Sequence, residues 1–77
     1  MVTIKLFGTL RIKTGCKGLE ADISTVGDAC TLLAESTGLS PKEFKKCIAV
    51  INGTQAKLTS TLNDGDELAF FSPSGGG

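Results

Sequence analysis

Only one stretch of this 77-residue sequence repeats its apolar residues with the period of a long helix, and on both sides of it the repeat is two. In VGDACTLLAEST, residues Val26, Ala29, Cys30 and Leu33 fall at i, i+3, i+4 and i+7, the stripe of an amphipathic helix of about three turns. Thr25 stands where a capping hydroxyl is needed, and Asp28 lies in the first turn, where the helix dipole favours a carboxylate. Gly38 follows as a natural stop. One long helix offers one apolar stripe, so the remaining segments must supply the surface that covers it.

Those segments read mostly as strands. VTIKLFG (2–8) puts Val2, Ile4 and Leu6 on one side and Thr3, Lys5 and Phe7 on the other. LRIKTGCKG (10–18) is basic and broken by Gly15 and Gly18, which predicts the turn of a hairpin, with LEADIS (19–24) returning as an antiparallel second strand. SPKEFKK (40–46), with Ser40 as a cap and Pro41 at the first helical position, predicts one short helical turn. CIAVI (47–51) is a continuous apolar run that predicts a buried strand. Asn52-Gly53 then reverses the chain into TQAKL. NDGD (63–66) is a further turn before ELAFFS (67–72), where Leu68 and Phe70 share one face and Ala69 and Phe71 the other.

Strand, strand, helix, strand, short strand, strand in so few residues is an α+β order. It predicts the ubiquitin-like β-grasp: a mixed four- to five-stranded sheet with one main helix across one face. The domain should occupy residues 1–72, with 73–77 as a flexible C-terminal tail. In that arrangement the first and last strands lie side by side and parallel, which would bring Phe7 and Phe71 together on the exposed side of the sheet. Two aromatics there, close to the tail, predict a docking patch, because aromatic anchors dominate interface energy.

Composition narrows the chemistry. Apolar residues make up 40% of the chain and charged residues 21%, too apolar for a disordered segment. Net charge is zero, which gives no general attraction to nucleic acid or an anionic membrane. The zero hides a split, with Lys5, Arg11, Lys13 and Lys17 unopposed in residues 1–17, and Asp64, Asp66 and Glu67 unopposed in residues 58–77. No apolar run approaches the roughly 18 residues a bilayer demands and no leader pattern follows Met1, so the expected compartment is the cytoplasm. Histidine is absent, and with it the commonest general base and metal ligand. Three widely spaced cysteines suggest neither a disulfide framework nor a zinc site. Cys30 lies on the helix stripe and Cys47 opens an apolar strand, both structural positions, whereas Cys16 sits in a basic loop beside Lys17.

The sequence ends LNDGDELAFFSPSGGG, and with LFGTLRIKTG, STVGDACTLL and VING it resembles the MoaD/ThiS family of sulfur carriers over essentially the whole chain, nearest to the molybdopterin synthase small-subunit type. The resemblance implies a carrier that is not itself an enzyme and binds no cofactor. An adenylating partner (E1-like, MoeB-type) spends ATP to join AMP to the carboxylate of Gly77. Sulfur from a donor protein then displaces AMP and leaves a thiocarboxylate. A synthase large subunit (MoaE-type) would use that sulfur to build molybdopterin.

On this reading Gly75 and Gly76, lacking Cβ, let the tail thread a narrow water-excluding channel. Pro73 stiffens its exit, and residues 73–77 extended reach about 17 Å. Phe7, Phe71, Arg11 and Pro73 would meet the partners, although Arg11 could equally lay its stem over the sheet. Other carrier pathways (thiazole, cysteine or tRNA thiolation), a ubiquitin-like protein modifier, and a plain binding module with an idle tail remain the alternatives.

Overall fold

A computed structural model describes residues 1–72. Among the described residues five strands and three helices follow in the order β1 Val2–Phe7, α1 Thr9–Thr14, β2 Gly18–Ala21, α2 Val26–Thr37, α3 Pro41–Lys45, β3 Ile48–Ile51, β4 Thr54–Ala56 and β5 Glu67–Phe71. The strands form one mixed sheet in the order β2-β1-β5-β3-β4. β1 and β5 are parallel neighbours in the centre, in the register Ile4 to Leu68 and Phe7 to Phe71, and the other pairs are antiparallel. This is the β-grasp expected from the element order.

Alternation decides which face is covered. Val2, Ile4 and Leu6 of β1 and Leu68 and Phe70 of β5 are buried, and they meet Val26, Ala29, Cys30 and Leu33 of α2 in one core. Each Val, Ile, Leu or Phe side chain so removed from water contributes roughly 1.5–3 kcal/mol. α2 begins and ends where its sequence signals stand: Thr25 Oγ1 accepts from Asp28 N–H at 3.2 Å, and Gly38 closes the helix at φ 80°. Ser40 likewise caps α3. That short helix delivers Phe44 into the core, edge-on to Phe70 with ring centroids 6.3 Å apart.

Three local expectations are corrected. LRIKTGCKG (10–18) is no simple hairpin turn: its first half lies in α1, Thr9–Thr14, seated by the burial of Leu10, tied by Thr14 Oγ1 donating to Leu10 O at 2.7 Å and closed by Gly15. Six residues with one buried side chain leave no 3.6-residue stripe to recognise. β2 stops at Ala21, short of the expected 24, because Ser24 O instead accepts from Leu62 N–H at 2.7 Å in the approach to α2. The apolar run at 47–51 is not buried on both faces. Cys47 precedes β3, Ala49 points inward, and Ile48 is left 42% exposed on the open side. The Asn52-Gly53 reversal is as expected, with both residues at positive φ, 49° and 86°.

Candidate functional site

The open face of the sheet becomes apolar at the end where β5 finishes. Phe7 and Phe71 are register partners, and their rings stack with centroids 4.8 Å apart and planes 8° from parallel. Ile48 pairs with Phe71 from the other side, so three large apolar side chains cross three strands in one row. All three are more than a third exposed. The next row holds Lys5, Ala69 and Val50, and Lys5 Nζ reaches Glu67 Oε1 at 2.9 Å at the edge of the patch.

Arg11 stands beside this row. It is exposed on α1 and lines, with Phe7, Lys17 and Leu19, a shallow depression over β1 and β2. α1 thus brings Arg11 and Phe7 to one surface. Its neighbour Lys13 is engaged elsewhere, with Nζ 3.3 Å from Glu43 Oε2 of α3. Pro73, Gly75, Gly76 and Gly77 lie outside the described residues.

Two contributors escape the sequence reading. Ile48 hid in a run that looked buried throughout, although strict alternation around Ala49 would have turned it outward. Ser72 gave no signal at all. Its Oγ lies 2.7 Å from Thr9 Oγ1 and accepts from Leu10 N–H at 3.2 Å, joining the end of β5 to the start of α1.

The ionisable groups do not assemble a reaction centre among the described residues. Burial pushes the Cys30 thiol up to about 11, and burial together with nearby Glu43 raises Cys47, so neither is a ready thiolate at neutral pH. Cys16 is half-buried with Sγ 3.3 Å from Gly18 O. Asp66 is held below the usual carboxylate range by Asn63 N–H and then by the Asn52 amide, which bind the β3–β4 turn to the turn before β5. That is a structural clasp. Among the described residues no three His, Cys, Asp or Glu side chains gather to hold a metal, and no helix is long and apolar enough to cross a membrane.

The β-grasp body is the fold of ubiquitin-like carriers and modifiers. The sequence model of the ThiS family matches residues 4–77, and the chain belongs to that family. It is a small, non-catalytic sulfur carrier or modifier. No curated protein matches it. Among solved structures it is similar to SAMP1 from Haloferax volcanii at 29% identity, covering 99% of this chain and 98% of that one, with a TM-score of 0.80. The small archaeal modifier protein 1 from Methanosarcina acetivorans is 26% identical over 99% and 95% of the two chains, with a TM-score of 0.83. A chain from the complex of subunits 1 and 2 of molybdopterin-converting factor from Helicobacter pylori shares the fold at 22% identity, covering 99% and 97%, with a TM-score of 0.71.

Proposed function

We propose that the protein carries sulfur as a thiocarboxylate on Gly77 and donates it for molybdopterin synthesis as the small subunit of a two-subunit synthase. The observation that carries this reading is the row Phe7, Phe71 and Ile48, which ends one residue before Ser72 and so places a desolvatable patch at the root of residues 73–77. A partner seated on that row would have the chain terminus in reach of its active site.

The chemistry asks little of the body. One oxygen of the Gly77 carboxylate attacks the α-phosphorus of ATP in the activating enzyme, and pyrophosphate leaves. The resulting acyl adenylate is attacked at its carbonyl carbon by the outer sulfur of a donor protein's persulfide, and AMP leaves with the bonding pair. A second thiol then attacks the donor sulfur of the acyl disulfide, forming a disulfide with the donor and releasing the thiocarboxylate. A thiocarboxylate keeps a soft nucleophile ionised at neutral pH while tethering it to a protein. No step needs a general base from this chain, which suits a sequence without histidine. Arg11, exposed beside Phe7, would meet an acidic group of the partner. The setting is the cytoplasm, where the activating enzyme has ATP, and neither nucleic acid nor membrane takes part.

A second reading, a protein modifier conjugated through Gly77 to lysines of targets, is favoured by the higher identity to the two archaeal modifiers than to the converting-factor chain. Reconstitution separates the two. Thiocarboxylated protein mixed with a large synthase subunit and its pterin precursor should yield the dithiolene product. Covalent ladders on target lysines, with no dithiolene formed, would establish the modifier instead.

A further inference from the structure

The chain has no net charge, yet the fold sorts its charges by end. β1 and β5 both finish at the Phe7–Phe71 pair, and β3 starts opposite Phe71 at Ile48. At that end the chain enters α1 from β1 and leaves α3 for β3. Six of the eight cationic side chains gather there: Arg11 and Lys13 on α1, Lys42 and Lys45 on α3, Lys46 just after it, and Lys17, whose carbonyl accepts from Leu6 N–H at 2.9 Å. All six are exposed. Lys13 Nζ, 3.3 Å from Glu43 Oε2, ties the two helices together. Among the described residues only Glu43 and Glu35, in the last turn of α2, oppose these cations. The other acids collect at the opposite end, where Glu20 and Glu67 both pair with Thr3, and Gly65 N–H, between Asp64 and Asp66, donates to Met1 O at 2.8 Å. The six residues of β1, at about 3.3 Å each, hold the two ends about 20 Å apart. Screening at physiological salt acts over about 8 Å, so a partner at one end does not feel the other.

We propose that the α1–α3 end is a cationic docking surface for an acidic protein partner, whose carboxylates surround the apolar groove that receives Phe7, Phe71 and Ile48. The inference deepens the carrier reading given above and rests on it for the partner's role. The cations are continuous with the apolar row, since Arg11 lines the same depression as Phe7. Ile12, between Arg11 and Lys13, is 83% exposed, the most exposed large apolar side chain among the described residues. An aliphatic knob set between cations fits an apolar socket with an acidic rim. It offers nothing to a phosphate backbone and has no ring on which a base could stack. A long polyanion would also run on toward the acidic end and be repelled there, whereas a folded partner meets one end alone. The separated charges turn the body so that the cationic end arrives first, and rim charges of this kind act on the association rate.

Stopped-flow association with the activating enzyme tests this, at low salt and in about 1 M salt, where screening acts within about 3 Å. Reversing two of the six charges, in the double variant Lys42→Glu with Lys45→Glu, should slow association about tenfold at low salt and leave dissociation within about twofold. The milder pair Lys42→Gln with Lys45→Gln should fall between the two. Lys57→Glu, which alters a charge following β4 at the sheet edge, should stay within about twofold of wild type. At high salt all four proteins should associate alike. An association rate in the double reversal equal to wild type, an equal loss in Lys57→Glu, or a difference that survives high salt would each overturn the proposal. Displacement of the enzyme by micromolar short single-stranded RNA would give the surface to nucleic acid and overturn it as well. The carrier reading stands or falls separately: an enzyme that associates as described but never forms the adenylate removes the carrier and leaves the surface, and one that adenylates every variant with unchanged association does the reverse. No association at any salt contradicts both.

Discussion

Phe7 and Phe71 lie opposite each other on adjacent parallel strands and stack at 4.8 Å on the open face of the sheet. A core aromatic pair would be covered, whereas each of these rings is more than a third exposed. Their mutual contact contributes about 0.5–1.5 kcal/mol to the fold and leaves the outer surface free for a partner.

Truncating one ring separates those two roles. Phe71→Ala should cost the fold no more than about 2 kcal/mol in urea denaturation, the stack plus a little sheet packing. Binding to the activating enzyme, measured by titration calorimetry, should weaken by about 2 kcal/mol or more, roughly thirtyfold in Kd. Unchanged affinity would remove the apolar row from the docking surface.

Phe44 has the opposite character. It is fully buried and meets Phe70 edge-on. Phe44→Ala should destabilise by about 3–5 kcal/mol, a large share of what a domain this small possesses. Chemical denaturation should show a midpoint collapsed toward zero denaturant. A loss below about 1 kcal/mol would mean that α3 does not anchor the core.

Gly18 is set by close approach. It pairs with Lys5 across β1 and β2, and a Cβ there, at φ 158°, would run into the carbonyl oxygen of Ile4. Gly18→Ala must push the strands apart and should cost about 1–3 kcal/mol. Gly27→Ala, in the first turn of α2 with its nearest contact at 3.4 Å, should stay within about 1 kcal/mol of wild type. Equal effects at the two sites would contradict the packing described for Gly18.

Much of this architecture was legible because the strongest signals were periodic. β1, α2 and β5 each carry a long enough repeat to specify both element and buried face, and the juxtaposition of Phe7 with Phe71 followed from their parallel pairing. α1 was missed because it is shorter than two turns and is held by tertiary contacts, Leu10 packed below and Ser72 at its start. Ile48 was missed because an unbroken apolar run erases the alternation that marks an outward side chain. Ser72 was illegible in principle, since its partners Thr9 and Leu10 are more than sixty positions away in sequence.

The Cys30 thiol links stability to alkaline pH. Its ordinary value is 9.0, and burial raises it to about 11 in the folded protein. The folded pKa lies above the unfolded one, so the stabilisation is complete below pH 9 and is lost as pH rises through 11. Thermal midpoints should therefore fall in that window, and the fall should be shallower in Cys30→Ala. Identical slopes for the two proteins would show that this thiol does not drive it.

Under the proposed function the working group is the terminal carboxyl of Gly77. Intact mass spectrometry after incubation with ATP, the activating enzyme and a sulfur donor tests it directly, since exchange of one oxygen for sulfur adds about 16 Da. That gain is expected on the full chain and none on a chain lacking Gly77, with both proteins equally folded. An unmodified full chain, or an equal gain without Gly77, would contradict it.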